Sequence, residues 1–217
     1  MNNLHYEKFP DYKFKPNSLV ILLHGIGADA FDLIPLAKHW SLTLKKTKFY
    51  SLQAPYPYRF AESGRQWFDL EDRDQTRILK EIELVKPMII TLLKKKLKKY
   101  NLQYKDLILV GFSQGTMVAL NLALTIKEEL RAVLGYSGGV ILTKSGKIEI
   151  NSKPKICLIH GKEDEVVPKK MMESTEIVLK DSAIDINTHL IENLGHSINE
   201  EGLEIGQNFL VKYLLKC

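Results

Sequence analysis

The scarcities of this 217-residue chain are its first constraints. It holds only two cysteines, Cys157 inside an apolar run and Cys217 at the last position. That is no disulfide framework, and a reducing cytoplasm fits best. No apolar run approaches the ~18 residues that span a bilayer. Met1 to Pro16 interleaves charged and aromatic residues where a signal peptide would be apolar, so no stable membrane insertion is expected. Nucleic-acid motifs are also lacking, which argues against a nucleic-acid partner despite a net charge of +5. Much of that excess lies in Lys94, Lys95, Lys96, Lys98 and Lys99. The run reads as a solvated helix end favoured by the C-terminal dipole, in preference to a lipid- or nucleic-acid-binding patch. Repeats, low-complexity tracts and linkers are missing too. With 45% hydrophobic and 26% charged residues, residues 1–217 read as a single globular domain.

What is present alternates between two periodicities. Short apolar runs at Leu19 to Leu23, Phe49 to Leu52, Leu107 to Phe112, Ala132 to Tyr136, Ile156 to Ile159 and Ile186 to Ile191 read as strands. The middle ones are continuous enough to be buried on both faces. Between them, Ile78, Ile82, Val85, Ile89, Leu92 or Leu93, and Leu97 recur in steps of three and four. They mark a helix that Pro87 should kink or divide. Further helices are expected over Phe31 to Trp40, Gln114 to Thr125, Lys169 to Lys180 and Glu200 to Leu215. This order implies an α/β fold with a mostly parallel central sheet and helices on both faces.

The chemistry begins at Gly111-Phe112-Ser113-Gln114-Gly115, where an apolar strand runs through G-x-S-x-G into a helical stretch. Such a pattern arises by chance in about one protein in fifteen of this length, so its surroundings must carry the reading. A tight strand-to-helix turn forces the serine into a sparsely populated backbone conformation and lifts its hydroxyl off the sheet edge. The Gln114 N–H then falls in the first helical turn, where it can stabilise a developing oxyanion. Gly135-Tyr136-Ser137-Gly138-Gly139 matches the same pattern. It leads into Ser145-Gly146 and Pro154, which read as loop, so Ser113 is the better nucleophile.

A serine needs a base, and the base needs a carboxylate to orient it. In this architecture the acid follows the serine and the histidine comes last. The strand Ile156 to Ile159 opens into His160-Gly161-Lys162-Glu163-Asp164-Glu165, where Asp164 is the candidate acid with Glu163 and Glu165 as rivals. His196, in Gly195-His196-Ser197 after the last strand, is the candidate base. His5, His24 and His39 precede the serine, His160 precedes Asp164, and His189 lies within a strand. Upstream, His24-Gly25-Ile26-Gly27 follows a strand as a glycine-containing turn, and the Ile26 N–H is the candidate second oxyanion donor. The stretch Ala54 to Leu70 is rich in aromatics. Trp67 and Phe68 either wall a substrate cleft or anchor the loop to the core, and Val166 and Val167 are further lining candidates.

Together these segments resemble the small carboxylesterase, lysophospholipase and acyl-protein thioesterase group of α/β-hydrolases. The resemblance runs from Leu19 to about Leu214. It is carried by His24-Gly25-Ile26-Gly27 with Asp29, Gln53-Ala54-Pro55, Trp67-Phe68-Asp69, Gly111 to Gly115, Ser137-Gly138, His160-Gly161 leading to Asp164 with Val166-Val167-Pro168, and Gly195-His196. It implies a cofactor-free hydrolase of carboxylic esters and thioesters with no large lid. Ser113, Asp164 and His196 are then the triad, and the N–H groups of Ile26 and Gln114 the oxyanion hole. Short to medium acyl chains are expected, because no long lid segment is present to cover a lipid. Lysolipids or acylated proteins are alternative substrates, and a silent hydrolase-like binding protein is a further alternative. A monomer or homodimer is expected. Two departures stand out: Thr116 takes a place where relatives often have glycine, and the short N-terminal segment leaves little room for antiparallel strands.

Overall fold

Aliphatic runs without polar interruption need cover on both faces of a sheet, and the molecule supplies it from five helices. In the computed structural model, residues 4–71 and 74–215 are described, and Cys217 lies outside them. The elements in chain order are β1 (Tyr6–Phe9), β2 (Ser18–Leu23), α1 (Ile34–Ser41), β3 (Thr47–Leu52), β4 (Tyr56–Pro57), β5 (Arg65–Gln66) and α2 (Gln75–Tyr100). There follow β6 (Leu107–Phe112), α3 (Gln114–Thr125), β7 (Ala132–Tyr136), β8 (Lys155–Gly161), α4 (Lys170–Asp181), β9 (Ile186–Ile191) and α5 (Glu200–Leu214).

Seven strands pair in the order β1-β3-β2-β6-β7-β8-β9, and β4 pairs with β5 in a small separate hairpin. Every neighbouring pair from β3 to β9 is parallel. Strand β1 is antiparallel to β3, so the short N-terminus does add one antiparallel strand. Four residues suffice because Tyr6 packs edge-on against Tyr50, with ring centroids 5.2 Å apart. Side-chain alternation divides the core into two layers. Leu19, Ile21 and Leu23 face α2, α3 and α4, while Val20 and Leu22 face Trp40 of α1 and Leu210 of α5.

Local sequence decides where helices start and where they continue. Helix α1 begins at Ile34, three residues later than the apolar pattern suggests. The Asp29 carboxylate first accepts the Phe31 N–H at 2.8 Å in a turn, and Pro35 then sits in the first helical turn. Pro87 does not divide α2, which runs unbroken for 26 residues. Proline removes a single N–H, and burial of Ile78, Ile82, Val85, Ile89, Leu93 and Leu97 outweighs that loss. The lysine run is not solvated throughout. Lys94, Lys95, Lys98 and Lys99 are exposed, whereas Lys96 is buried with its ammonium 3.7 Å from the Tyr6 ring centroid and 4.3 Å from that of Tyr50. A cation held against two aromatic faces keeps a charge partner in place of water.

Helix α3 packs tightly where it meets the sheet. A Cβ on Gly115 would stand 1.9 Å from the Leu23 carbonyl oxygen, and one on Gly111 would stand 2.4 Å from the Thr116 amide nitrogen. Thr116 in turn stitches α3 to β7. Its hydroxyl donates to the Tyr136 carbonyl at 2.8 Å and accepts the Tyr136 N–H at 3.1 Å. Gly115→Ala is therefore expected to lower the unfolding free energy by about 3 kcal/mol through backbone displacement. Gly195→Ala, whose Cβ would meet only the Glu163 carbonyl at 3.9 Å, is expected to stay within about 1 kcal/mol of the parent. Urea denaturation of both variants checks this, and equal losses would contradict the packing argument.

Candidate active site

In open α/β sheets a crevice forms beyond the carboxyl ends of neighbouring strands whose connections leave in opposite directions. Here β2 connects onward to β3 on one side, while its other neighbour, β6, connects onward to β7. Leu23 at the end of β2 is in register with Gly111 of β6. The turn carrying His24 to Gly27 and the turn carrying Ser113 therefore leave the sheet side by side. Two strands further on, Gly161 of β8 pairs with Ile191 of β9, and the loops bearing Asp164 and His196 likewise emerge together.

Ser113 caps α3 with φ 52° and ψ −117°, a region that non-glycine residues occupy only when their surroundings enforce it. The strain turns the side chain away from the sheet and puts the Gln114 N–H at the positive end of a 12-residue helix. The Gln114 side chain fastens the neighbouring loop. Its carbonyl accepts the Trp67 N–H at 2.7 Å, and its amide donates to the Phe68 carbonyl at 2.7 Å. Ser137 also has positive φ, at 48°, yet no helix follows it directly.

The first turn is held by its own histidine. Buried His24 donates from Nδ1 to the Gly25 carbonyl at 2.7 Å, and its Nε2 accepts the Ala54 N–H at 3.1 Å. The backbone donor at Ala54 thus sets the tautomer. Trp67 Nε1 donates to the His24 carbonyl at 2.9 Å, and the Gly27 N–H reaches the Arg65 carbonyl at 2.8 Å. Among the described residues no backbone acceptor takes the Ile26 or Gln114 N–H. Ile26, Ser113 and Gln114 all border the same cleft.

Asp164 is buried and accepts from three sides. Its Oδ1 takes the Val166 and Val167 N–H groups at 3.0 and 2.8 Å, while Oδ2 lies 2.7 Å from His196 Nδ1. Burial pushes its carboxyl upward. The hydrogen bonds from His196 and the Val167 N–H, with the nearby His196 and His160 rings, outweigh this and hold it below the usual carboxylate range. The rivals Glu163 and Glu165 are exposed. The imidazole of His196 packs on the ring of Phe112, with centroids 4.9 Å apart, which sets it beside the residue preceding Ser113.

A cleft of about 510 Å³ opens from Ser113. Its walls are apolar, with Leu70, Ile78, Met117, Ile141, Val167 and Met171 among them, and Val166 stands largely exposed at the side. Trp67 and Phe68 are fully buried and do not border it. This corrects their reading as cleft walls. Their backbone bonds to Gln114 and the indole bond to His24 turn both rings into the core.

A family model described as Phospholipase/Carboxylesterase matches residues 10–214. The chain belongs to the phospholipase/carboxylesterase family. The crystal structure of esterase PE8 aligns with this esterase-family chain at TM-score 0.91 and 35% identity, covering 98% of this chain and 100% of that one. Acyl-protein thioesterase 1 of Gibberella zeae is 25% identical over 212 residues, covering 90% of each chain. Esterase YpfH of Escherichia coli is 22% identical over 196 residues, covering 88% of this chain and 81% of its own. The fold is that of an α/β-hydrolase, and the protein is a hydrolase of the ester class.

Two residues of this hydrolase escape a search by chain order. His24 and His160 are set aside as bases because each stands too early, yet both contact site residues. His24 carries a consequence for stability. Burial lowers its pKa from the ordinary imidazole value, against the opposing bond to Gly25. The folded state therefore holds His24 neutral while the unfolded chain protonates it, and stability is lost as pH falls below about 6.5. His24→Asn, whose amide still reaches the Gly25 carbonyl, is expected to flatten that decline. Urea midpoints measured between neutral and mildly acidic pH check this, and an unchanged slope in the variant would refute it.

Proposed function

We propose that this ester and thioester hydrolase works through an acyl-enzyme with Ser113 as nucleophile, His196 as general base and Asp164 as its orienting carboxylate. The observation that carries the reading is the 2.7 Å bond between Asp164 Oδ2 and His196 Nδ1, formed beside a serine at positive φ. With Nδ1–H committed to the carboxylate, Nε2 is the free base that takes the serine proton as the hydroxyl attacks the carbonyl. The oxyanion is received by the N–H groups of Ile26 and Gln114, whose directions are set before substrate arrives. The imidazolium protonates the departing alcohol or thiol. Water, deprotonated by the same ring, then releases the acid.

The apolar cleft supports an acyl chain of short to medium length lying along Met117, Ile141 and Met171. Val166 and Val167 flank its entrance. No helix among the described residues is long and apolar enough to cross a membrane. We assign the whole chain to one domain working in a reducing, cytoplasmic setting. Cys157 is compatible with this, since burial pushes its thiol up to about 12 and leaves it inert.

Ser113→Ala is expected to lose on the order of a million-fold in kcat for a p-nitrophenyl ester, as in triad enzymes of other folds. It should also fail to react with a fluorophosphonate probe. Near-parental turnover by the purified variant would reject the assignment. Across a panel of p-nitrophenyl esters, kcat/KM is expected to peak between butyrate and octanoate. Met171→Trp should depress the longer esters by about 10–200-fold while sparing acetate. A uniform loss over the panel would place the acyl chain elsewhere, and a preference for lysolipid over every simple ester would shift the substrate class.

A further inference from the structure

The catalytic carboxylate has two imidazoles, one on either side. His160, at the end of β8, is buried, and its Nε2 lies 2.8 Å from the Val167 carbonyl and 3.3 Å from Asp164 Oδ2. A carbonyl only accepts, so Nε2 carries the hydrogen and donates it to Val167, while Asp164 Oδ2 lies close beside the same nitrogen and outside that bond. Among the described residues its Nδ1 meets no partner. The ring is therefore held by one nitrogen alone. Val167 links the two side chains, for its N–H donates to Asp164 Oδ1 at 2.8 Å while its carbonyl receives His160. The carboxylate is thus tied through Oδ1 to a turn that one imidazole fastens.

We infer that His160 is a positioning residue: by fastening the Val167 carbonyl, with the N–H edge of its ring beside Asp164 Oδ2, it fixes the turn that orients the carboxylate and so sets how strongly His196 holds a proton. This role presupposes the Ser113, Asp164 and His196 triad. A buried carboxylate with a single strong acceptor site in use is free to rotate about its last bond. With Oδ1 held by two N–H groups and Oδ2 by His196, rotation breaks several bonds at once. The N–H edge of His160 also lies 3.3 Å from the oxygen that His196 binds. Its removal concentrates negative charge on Oδ2 and favours the protonated form of His196. The other ionisable groups on the surrounding elements include Lys162, Glu163 and Glu165 on the same loop, Glu192 paired with Lys162 at 2.8 Å, Lys169 and Lys170 at the start of α4, Cys157 on β8, Tyr136 on β7, His189 on β9, and Glu200 and Glu201 at the start of α5. All of them are unchanged in the variants that test the idea.

His160→Leu removes the donor and keeps the bulk. His160→Gln restores a donor, because the glutamine amide nitrogen reaches about as far from the backbone as Nε2. With a p-nitrophenyl ester, the leucine variant is expected to lose on the order of tenfold in kcat with KM within about twofold of the parent. The acid limb of its kcat/KM profile should move upward by about half a pH unit. The glutamine variant is expected to recover both. Equal behaviour of the two variants, or a leucine variant impaired through KM alone, overturns the inference, because bulk or cleft shape would then be all that His160 provides. If the leucine variant does not fold, His160→Asn takes its place, since its amide is too short to reach the Val167 carbonyl. Fluorophosphonate labelling of the parent protein keeps the two questions apart. Failure to label there would remove the triad itself, whereas normal labelling with indistinguishable variants removes only the role of His160.

Discussion

The first turn of α3 is pressed against the carboxyl end of β2, and the remaining site geometry depends on that contact. Gly115 leaves no space for a Cβ beneath the Leu23 carbonyl, and Gly111 leaves none beside Thr116. With both neighbours so closely packed, Ser113 has no relaxed backbone conformation available and is held at φ 52°. The same contact puts the positive end of α3 beside the turn that follows β2, so two backbone donors from distant parts of the chain face one cleft. Under the proposed mechanism, steric pressure in the scaffold becomes electrostatic preorganisation at the serine.

The second half of the machinery comes from the other end of the parallel sheet. Parallel pairing of β8 with β9 lets two loops emerge from the same rim, and a buried carboxylate links them. Asp164 remains ionised despite its burial because each oxygen receives donors. The arrangement needs no loop to close over it, since the parts that must not move are fastened by hydrogen bonds at strand ends.

Much of this was legible along the chain because the relevant signals are local. A glycine pair flanking a serine, with a strand before and a helix after, describes the elbow whatever surrounds it. Chain order then limits the acid and the base to residues near Asp164 and His196. The strands were readable for the same reason, as burial on both faces admits only apolar residues. Thr116, by contrast, stood out only as a departure from relatives. Its hydroxyl proves to replace close approach by hydrogen bonds to both backbone groups of Tyr136.

What the sequence by itself determined is the order of elements, the strand-to-helix turn that holds Ser113, and the loops from which Asp164 and His196 emerge. Each of these follows from periodicity, turn chemistry or succession along one chain. Tertiary structure alone decided that Trp67 and Phe68 turn inward, that Lys96 lies between two tyrosines, that Pro87 leaves α2 whole and that His160 lies beside the Asp164 carboxylate. In those cases the outcome rests on which distant surface or hydrogen-bond partner arrives opposite the residue. Local preference fixes the options for a side chain, whereas packing and buried polar pairing choose among them, and that choice exists only once the sheet has brought its strand ends together.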